Sequence, residues 1–190
     1  MKTTRLIIIV FLVSVLLLMG CKSDESIINP LPENNLIANS SFEFNSSPSL
    51  AGWVTNTTDT EYIRFALDAP CGGGYYSVLL KNEWSFPGTI SYAIAPPVGT
   101  HRYQLSAWGK AIRTGSFPSS GEMAILIRRA TLDSLRKSFN FSDSTWTYAS
   151  LFDTVTTVAT DTLLIRLRGN YTQFSSGYVL FDLCKFLKLD

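Results

Sequence analysis

Residues 102–111 of this 190-residue chain, Arg-Tyr-Gln-Leu-Ser-Ala-Trp-Gly-Lys-Ala, show an alternating pattern that decides the fold class. Tyr103, Leu105 and Ala107 fall on one side, and an amide, a hydroxyl, an indole and an ammonium group fall on the other. Successive side chains of a β-strand point to opposite faces of a sheet. This stretch therefore predicts a strand with one face in a core.

The same kind of segment recurs along most of the chain. Short runs rich in Val, Ile, Thr, Tyr and Phe are bounded by Gly, Pro, Asn, Asp and Ser, and no segment keeps a capped helical period. About nine to eleven strands at such spacing are typical of a sandwich or barrel. We predict an all-β fold, a two-sheet antiparallel β-sandwich. The predicted strands are Glu61–Leu67, Tyr75–Lys81, Thr89–Ala95, Arg102–Ala111, Glu122–Arg129, Ser134–Phe141, Thr145–Phe152, Thr162–Arg168 and Gly177–Leu187.

Composition excludes several classes of protein. Only 16% of residues are charged and the formal net charge is +1, which disfavours binding to a nucleic-acid backbone. With 46% hydrophobic residues the chain is not of a disordered type. The single histidine, His101, makes a His-rich metal site or a Ser-His-Asp triad a poor expectation. Composition thus favours a folded domain without naming its function.

The N-terminus has the pattern of an export and anchoring segment. Lys2 and Arg5 precede an apolar run, Leu6–Met19, that is too short to span a bilayer core of about 30 Å. Residues 1–20 are therefore predicted to be a signal peptide. The sequence Leu18-Met19-Gly20-Cys21 resembles a bacterial lipobox. The resemblance implies that Cys21 is acylated and anchors the chain in the lipid bilayer of the bacterial cell envelope, with the outer membrane as the expected location.

Residues 21–34 are predicted to be a lipidated tether, followed by one domain at 35–190. Lys22-Ser23-Asp24-Glu25 resembles the signal that sends lipoproteins to the cell surface in some Gram-negative bacteria, and the alternative is a solvated tether. Cys71 and Cys184 are the remaining cysteines. In an oxidising compartment they could form a disulfide, but two buried free thiols fit equally well, because sequence does not give the distance between them.

A series of motifs resembles the CenC-type carbohydrate-binding modules, which belong to the galactose-binding-like jelly rolls. The series covers residues 35–187, and its first and last members are the most specific. The resemblance implies a jelly-roll β-sandwich and a non-catalytic binding role. Its members are Asn35-Leu36-Ile37-Ala38-Asn39-Ser40-Ser41-Phe42-Glu43, Gly52-Trp53, Tyr103–Lys110, Trp146-Thr147 and Phe181-Asp182-Leu183-Cys184-Lys185-Phe186.

Many proteins of this family hold a structural calcium between the first and last strands. Glu43 and Asp182 match the positions of the acidic ligands. Calcium takes six to eight oxygen ligands, including carboxylates and backbone carbonyls. Leu183 departs from the pattern, in which a second acidic or amide residue often follows the aspartate. The alternative is that both carboxylates are strand-end groups bonded to backbone.

Aromatic residues are the candidates for contact with a sugar, because aromatic faces pack against sugar CH groups. Trp53 and Trp146 occupy positions that predict packing in the core. Trp84 lies in a loop with Gly and Pro, residues 82–88, where a large apolar side chain is either covered or available to a ligand. It is the first candidate for ligand binding. Neighbouring candidates are Tyr75, Tyr76, Phe117 and Tyr171.

Two further sets of side chains leave alternatives open. Trp108 and Gln104 lie on the face of their strand opposite Leu105; if Leu105 faces the core they form an exposed ligand-binding row, although the balance favours the core for Trp108. Arg128, Arg166 and Arg168 fall on the polar side of their strands. They form either a basic strip for uronic acids or sulfated sugars or, as is commoner, a solvated sheet face.

The sequence argues against catalysis. The acidic pattern Glu-x-Asp-x-x-Glu of one jelly-roll glycosidase family is absent, and Cys71-Gly72-Gly73-Gly74 is followed by no helix, so it predicts a turn and not a phosphate loop. We expect a non-catalytic glycan-binding lipoprotein of the cell envelope. The alternatives are a structural or protein-binding lipoprotein with other envelope proteins as partners and, less favoured, a polysaccharide-degrading enzyme.

Overall fold

The computed structural model describes residues 34–170 and 174–190. The predictions for the signal peptide, for Cys21 with its tether up to residue 33, and for Tyr171 lie outside these residues. Within them the secondary structure is all β, and no helix is long and apolar enough to cross a membrane. The strands are β1 (Glu43–Phe44), β2 (Ser47–Pro48), β3 (Trp53–Thr55), β4 (Ile63–Ala66), β5 (Ser77–Lys81), β6 (Thr89–Ile94), β7 (Gly99–Ile112), β8 (Gly121–Arg129), β9 (Leu132–Phe141), β10 (Thr147–Thr157), β11 (Thr162–Gly169) and β12 (Tyr178–Lys188).

Two antiparallel sheets of five strands face each other and form a β-sandwich of jelly-roll type. The first sheet has the order β10-β7-β12-β5-β4, and the second has the order β3-β6-β11-β8-β9. β1 and β2 form a separate short hairpin. All nine strands predicted from alternation are present, so the prediction of fold class is confirmed. The three short strands β1 to β3 are additional.

The core lies between the two sheets and takes one side of nearly every long strand. On β7 the fully buried side carries Tyr103, Leu105 and Ala107, which is one of the two orientations that the alternation left open. On β11 it carries Leu163, Ile165 and Leu167, all 0% exposed. Burying each aliphatic side chain of this size contributes about 1.5–3 kcal/mol. The core thus fixes which side of each strand is left for other roles.

The opening motif of the domain binds to the last strand and to Trp53. Asn35 pairs with Leu187, and Cys184 donates its backbone N–H to Ser40 at 2.8 Å. The Trp53 indole N–H donates to the Asn39 carbonyl at 3.0 Å, and the Trp53 ring is 7% exposed. The prediction that Trp53 lies in the core is confirmed. The motif therefore joins the two ends of the domain.

Cys184 and Cys71 do not form a disulfide with each other. Cys184 carries a free thiol, 0% exposed in the core, and burial raises its pKa well above the ordinary value. Cys71 lies instead at the surface, in the loop before β5. Because one residue is in the core and the other at the surface, the candidate pairing of Cys71 with Cys184 is wrong.

Candidate functional site

Several loops leave the sandwich at the same end. Lys81 at the end of β5 pairs with Tyr178 at the start of β12, which pairs with Ile112 at the end of β7. In the second sheet, Arg168 near the end of β11 pairs with Thr89, the first residue of β6. Antiparallel strands place such ends side by side. The loops at 56–62, 82–88 and 113–120, together with residues 174–177, therefore gather at one end of the domain.

Buried polar side chains tie these loops together. The Asn82 amide donates to Ser119 Oγ at 2.6 Å, and Ser119 Oγ donates to the Tyr178 carbonyl at 2.7 Å. The backbone N–H of Asn170 donates to Asn82 Oδ1 at 2.8 Å. Asn82 and Ser119 are nearly inaccessible to solvent. Buried polar groups that are satisfied in this way hold a single geometry, so the loops form a rigid platform.

Among the residues that the structure describes, four aromatic side chains stand exposed on this platform, and we name them the aromatic loop end: Trp84, Phe86, Phe117 and Phe174. Trp84 is 60% exposed. Phe117 and Phe174 contact each other, with ring centroids 5.5 Å apart. Large apolar side chains clustered on a rigid surface mark a place of interaction. Trp84 and Phe117 were candidates from sequence, whereas Phe86 and Phe174 were missed.

Phe86 packs against Tyr62, and the Tyr62 ring in turn contacts Lys81. The Tyr62 and Phe86 rings meet edge to face with centroids 5.6 Å apart, and Lys81 Nζ lies 4.6 Å from the Tyr62 ring centroid. The Lys81 ammonium also bonds Glu61 Oε1 at 2.5 Å and lies 3.4 Å from Glu83 Oε2. The hydrogen bond to Glu61 raises the pKa of Lys81, so it is charged at neutral pH. Glu61 and Glu83 are therefore both paired with one ammonium.

Trp108 and Gln104 lie on the outer face of the first sheet, away from the core. This is the orientation that forms an exposed row, so the preference for Trp108 in the core is wrong. The Trp108 ring contacts Tyr148 with centroids 5.7 Å apart, and Gln104 Nε2 donates to Ser150 Oγ at 2.8 Å. Tyr148 on β10 is 51% exposed. This surface is separate from the aromatic loop end.

Trp146 also lies outside the core, contrary to prediction. It is half-buried, and its indole N–H donates to Asp68 Oδ1 at 2.9 Å, while Lys110 Nζ bonds the other oxygen of Asp68 at 2.6 Å. An indole N–H needs an acceptor when it is covered. Trp146 therefore anchors the loop after β4 to the first sheet.

Tyr75 and Tyr76 contribute their backbone to a third place, around Glu43. Both backbone N–H groups donate to Glu43 Oε1. Asp182 lies on the outer face of the first sheet beside Trp108 and is 0% exposed. Of the candidate ligand-binding residues, the structure thus places Trp108 and Gln104 on one sheet face, Tyr75 and Tyr76 around Glu43, and Trp84 and Phe117 at the aromatic loop end.

The loop before β5 brings Glu43 and Asp182 together. A methyl group on Gly73 would overlap Asp182 Oδ2, and one on Gly74 would overlap the Glu43 carboxylate. Gly74 also has φ +83°, which disfavours other residues. Burial, with a contribution from the charge of Glu43, raises the pKa of Asp182 to about 9. Asp182 Oδ2 has no hydrogen-bond partner in the described part of the chain.

Comparison with known proteins supports the fold but does not assign the chain to a family. No protein-family pattern and no curated protein matches the sequence. Among solved structures, the chain is similar to the CBM22-1 xylan-binding domain of Paenibacillus barcinonensis Xyn10C, with 14% identity and a TM-score of 0.56 over 83% of this chain and 96% of that one. It is similar to TmCBM61, solved with β-1,4-galactotriose, with 13% identity and a TM-score of 0.51 over 82% of this chain and 99% of that one.

Some similar structures belong to larger enzymes. The chain is 15% identical to the enzymatically active domain of bacteriophage CBA120 tailspike protein 4, with a TM-score of 0.56 over 82% of this chain. It spans only 21% of that protein's chain, but nearly all of the two carbohydrate-binding modules. These similarities show that the chain has the β-sandwich fold that carbohydrate-binding modules share.

Proposed function

We propose that this chain is a non-catalytic glycan-binding protein whose ligand packs on the aromatic loop end. The observation that carries the proposal is the exposed indole of Trp84, which is presented with three Phe rings on loops that Asn82 and Ser119 hold rigid. Sugar rings offer CH faces to aromatic side chains and hydroxyls to polar groups. Stand-alone carbohydrate-binding modules of the same fold support this function.

The charged groups at this end favour binding over catalysis. Glu61 and Glu83, carboxylates at this end of the domain, both pair with Lys81. A retaining glycosidase uses two carboxyls about 5–5.5 Å apart, one of them a proton donor with a raised pKa. At this end, instead, both carboxylates lie within 4 Å of one ammonium, that of Lys81. We therefore propose no reaction at this site.

We also propose a structural calcium ion bound between Glu43 and Asp182. The side chains fit the ion, since Asp182 Oδ2 is buried without a partner and the Glu43 carboxylate lies against the same pair of glycines. Among the residues that the structure describes, no group of three or more His, Cys, Asp or Glu side chains is gathered, so carbonyl oxygens and water would complete the shell. The ion would neutralise the two carboxylates and join β1 to β12.

The location of the protein is a further part of the proposal. The lipobox-like Leu18–Cys21 segment supports acylation of Cys21 and attachment to the outer membrane of the bacterial envelope. Labelling cells with a radioactive fatty acid tests it: the full chain should be labelled and Cys21→Ser should not. Equal labelling of the two chains would contradict the anchor.

A glycan array, probed with the full chain in detergent with and without calcium, tests the binding function. We expect retention on at least one class of glycan, and loss of that retention in Trp84→Ala. If no glycan is retained although the chain is folded, the alternative function is supported: a structural or protein-binding lipoprotein with other envelope proteins as partners.

A further inference from the structure

A charged cluster lies on the outer face of the second sheet, and we name it the arginine–glutamate cluster: Glu122 of β8 with Arg166 and Arg168 of β11. Arg166 Nη2 donates to Glu122 Oε1 at 2.8 Å, and Arg168 Nη2 donates to Oε2 at 2.6 Å. Each oxygen of one carboxylate is thus taken by a different guanidinium. The arginines fall on the polar side of their strand, as predicted.

This cluster borders the aromatic loop end. Arg168 and Glu122 are paired across the sheet, and the next residue, Gly169, donates its N–H to the Gly88 carbonyl at 2.9 Å. Gly88 belongs to the loop that carries Trp84. A chain of sugar units that packs on Trp84 can therefore extend past the strand ends of the second sheet toward Arg168.

The cluster carries a surplus of positive charge. Burial opposes ionisation of Glu122, but the hydrogen bonds from Arg166 and Arg168 outweigh it and lower its pKa, so the carboxylate is charged at neutral pH. Both guanidiniums are charged at every accessible pH. Two positive groups and one negative group leave one positive charge. The other ion pair on this face, Arg128 with Asp133 at 2.6 Å, is neutral by itself.

The surroundings increase the effect of that charge. Ala124, Leu126 and Leu164 form a small buried apolar cluster on the same face. Charges interact more strongly next to apolar groups than in open water. Arg166 keeps 22% of its side chain exposed, so a ligand at the surface can reach part of it.

We infer that the arginine–glutamate cluster binds the anionic group, a carboxylate or a sulfate, of an acidic glycan whose uncharged part packs on the aromatic loop end. The inference rests on the proposed function and names its ligand class. Guanidinium is the side-chain group best suited to carboxylates and sulfates, because its N–H donors form a planar fork. Glu122 holds the two guanidinium groups in position and limits the net positive charge of the cluster to one.

A purely structural role for the cluster makes a different prediction for Glu122→Gln. If the cluster only stabilises the sheet, this change lowers stability and leaves glycan affinity unchanged or weaker. If the cluster binds an anion, the change raises the surplus to two positive charges, and affinity for the acidic glycan rises several-fold while affinity for a neutral glycan does not. The change in affinity therefore separates the two roles even where stability falls in both.

Calorimetric titration of the full chain in detergent with an oligogalacturonate and with its methyl ester tests the inference, because the ester lacks the negative charge and differs otherwise by a methyl group. We expect the acid to bind at least tenfold more tightly, with an affinity that falls as salt is added. Dextran sulfate against dextran is the matching pair for sulfate, and shows which anionic group is preferred. The comparison of ligands needs no variant and remains decisive if a variant fails to fold.

Arg166→Gln should remove the preference for the acid, whereas Arg128→Gln, a matched change on the same face, should keep it. Equal binding of acid and ester, with Trp84→Ala weakening both, would overturn the inference and leave the proposed function standing. Equal effects of the two arginine variants would also overturn it. Absence of binding to every glycan, neutral or acidic, would instead contradict the proposed function itself.

Discussion

Glu43 and Asp182 lie against two consecutive glycines, Gly74 and Gly73, although one carboxylate comes from the start of the domain and the other from its last strand. Asp182 is fully buried, and the charge of Glu43 adds to burial in raising its pKa to about 9. A buried pair of carboxylates is unfavourable unless a proton or a cation neutralises it. Two predictions depend on this relationship.

Calcium is expected to raise the melting temperature of the full chain, and Asp182→Asn is expected to remove that rise. A ligand that binds only the folded state stabilises it by mass action. The amide keeps the shape of the side chain but supplies no charge to the ion. Differential scanning fluorimetry in calcium and in chelator measures the effect. Glu61→Gln, a carboxylate paired with Lys81, is the control and should respond as the unchanged chain does. A melting temperature indifferent to calcium would contradict the proposed site.

Stability of the metal-free chain should fall as pH rises, and Asp182 is the cause. The pKa of this group is about 9 when folded and 3.8 for the ordinary carboxyl, so between those values the folded chain holds a proton that the unfolded chain has lost. The stabilisation is complete below the lower value and is lost as pH rises through the upper one, by up to about 1.4 kcal/mol per pH unit. Urea unfolding in chelator at about pH 6 and about pH 9 measures it. Asp182→Asn should show a smaller slope, and an equal slope would exclude Asp182 as its source.

Sequence alternation predicts the long strands because each has one apolar side, as Leu163, Ile165 and Leu167 show. It does not predict strands of two or three residues such as β1, which depend on contacts with distant parts of the chain. Nor does it say which side of β7 is inward. Facing Trp108 inward would also have buried Gln104 and Lys110, and burying an amide and an ammonium costs more than leaving an indole on the surface.

The candidate site could be predicted only in part, because it depends on which loops meet. Trp84 was identifiable as a large apolar side chain in a loop with Gly and Pro. That the loops of Trp84 and Phe174 lie at the same end depends on the pairing of β5 with β12, which the sequence does not specify. The role of Asn82 was not visible either, since an asparagine beside a strand is as common in a solvated turn as in a buried network.

Asn82→Ala should lower both stability and glycan affinity. The change removes the amide that bonds Ser119 and accepts from Asn170, which leaves buried polar groups unsatisfied and costs about 1–3 kcal/mol. With the loops less restrained, the aromatic loop end loses part of its geometry, and we expect weaker binding. Asn56→Ala is the matched control, because Asn56 also bonds a neighbouring loop, at the Pro87 carbonyl, but at an exposed position. Both variants are compared by urea unfolding and glycan titration, and an equal loss in the two would contradict the special role of Asn82.

Trp84→Ala should weaken glycan binding by about tenfold or more while changing stability by no more than about 0.5 kcal/mol, because the indole is largely exposed and contributes to no core. Phe152→Ala is the matched control, since Phe152 is similarly exposed (56%) but lies on the outer face of the first sheet. It should leave affinity unchanged. Trp53→Ala should do the opposite of Trp84→Ala and lower stability by about 3–5 kcal/mol, because it opens a cavity in the core. If Phe152→Ala weakens binding and Trp84→Ala does not, the ligand lies on the face of Trp108 and Gln104, and the aromatic loop end is not the binding site.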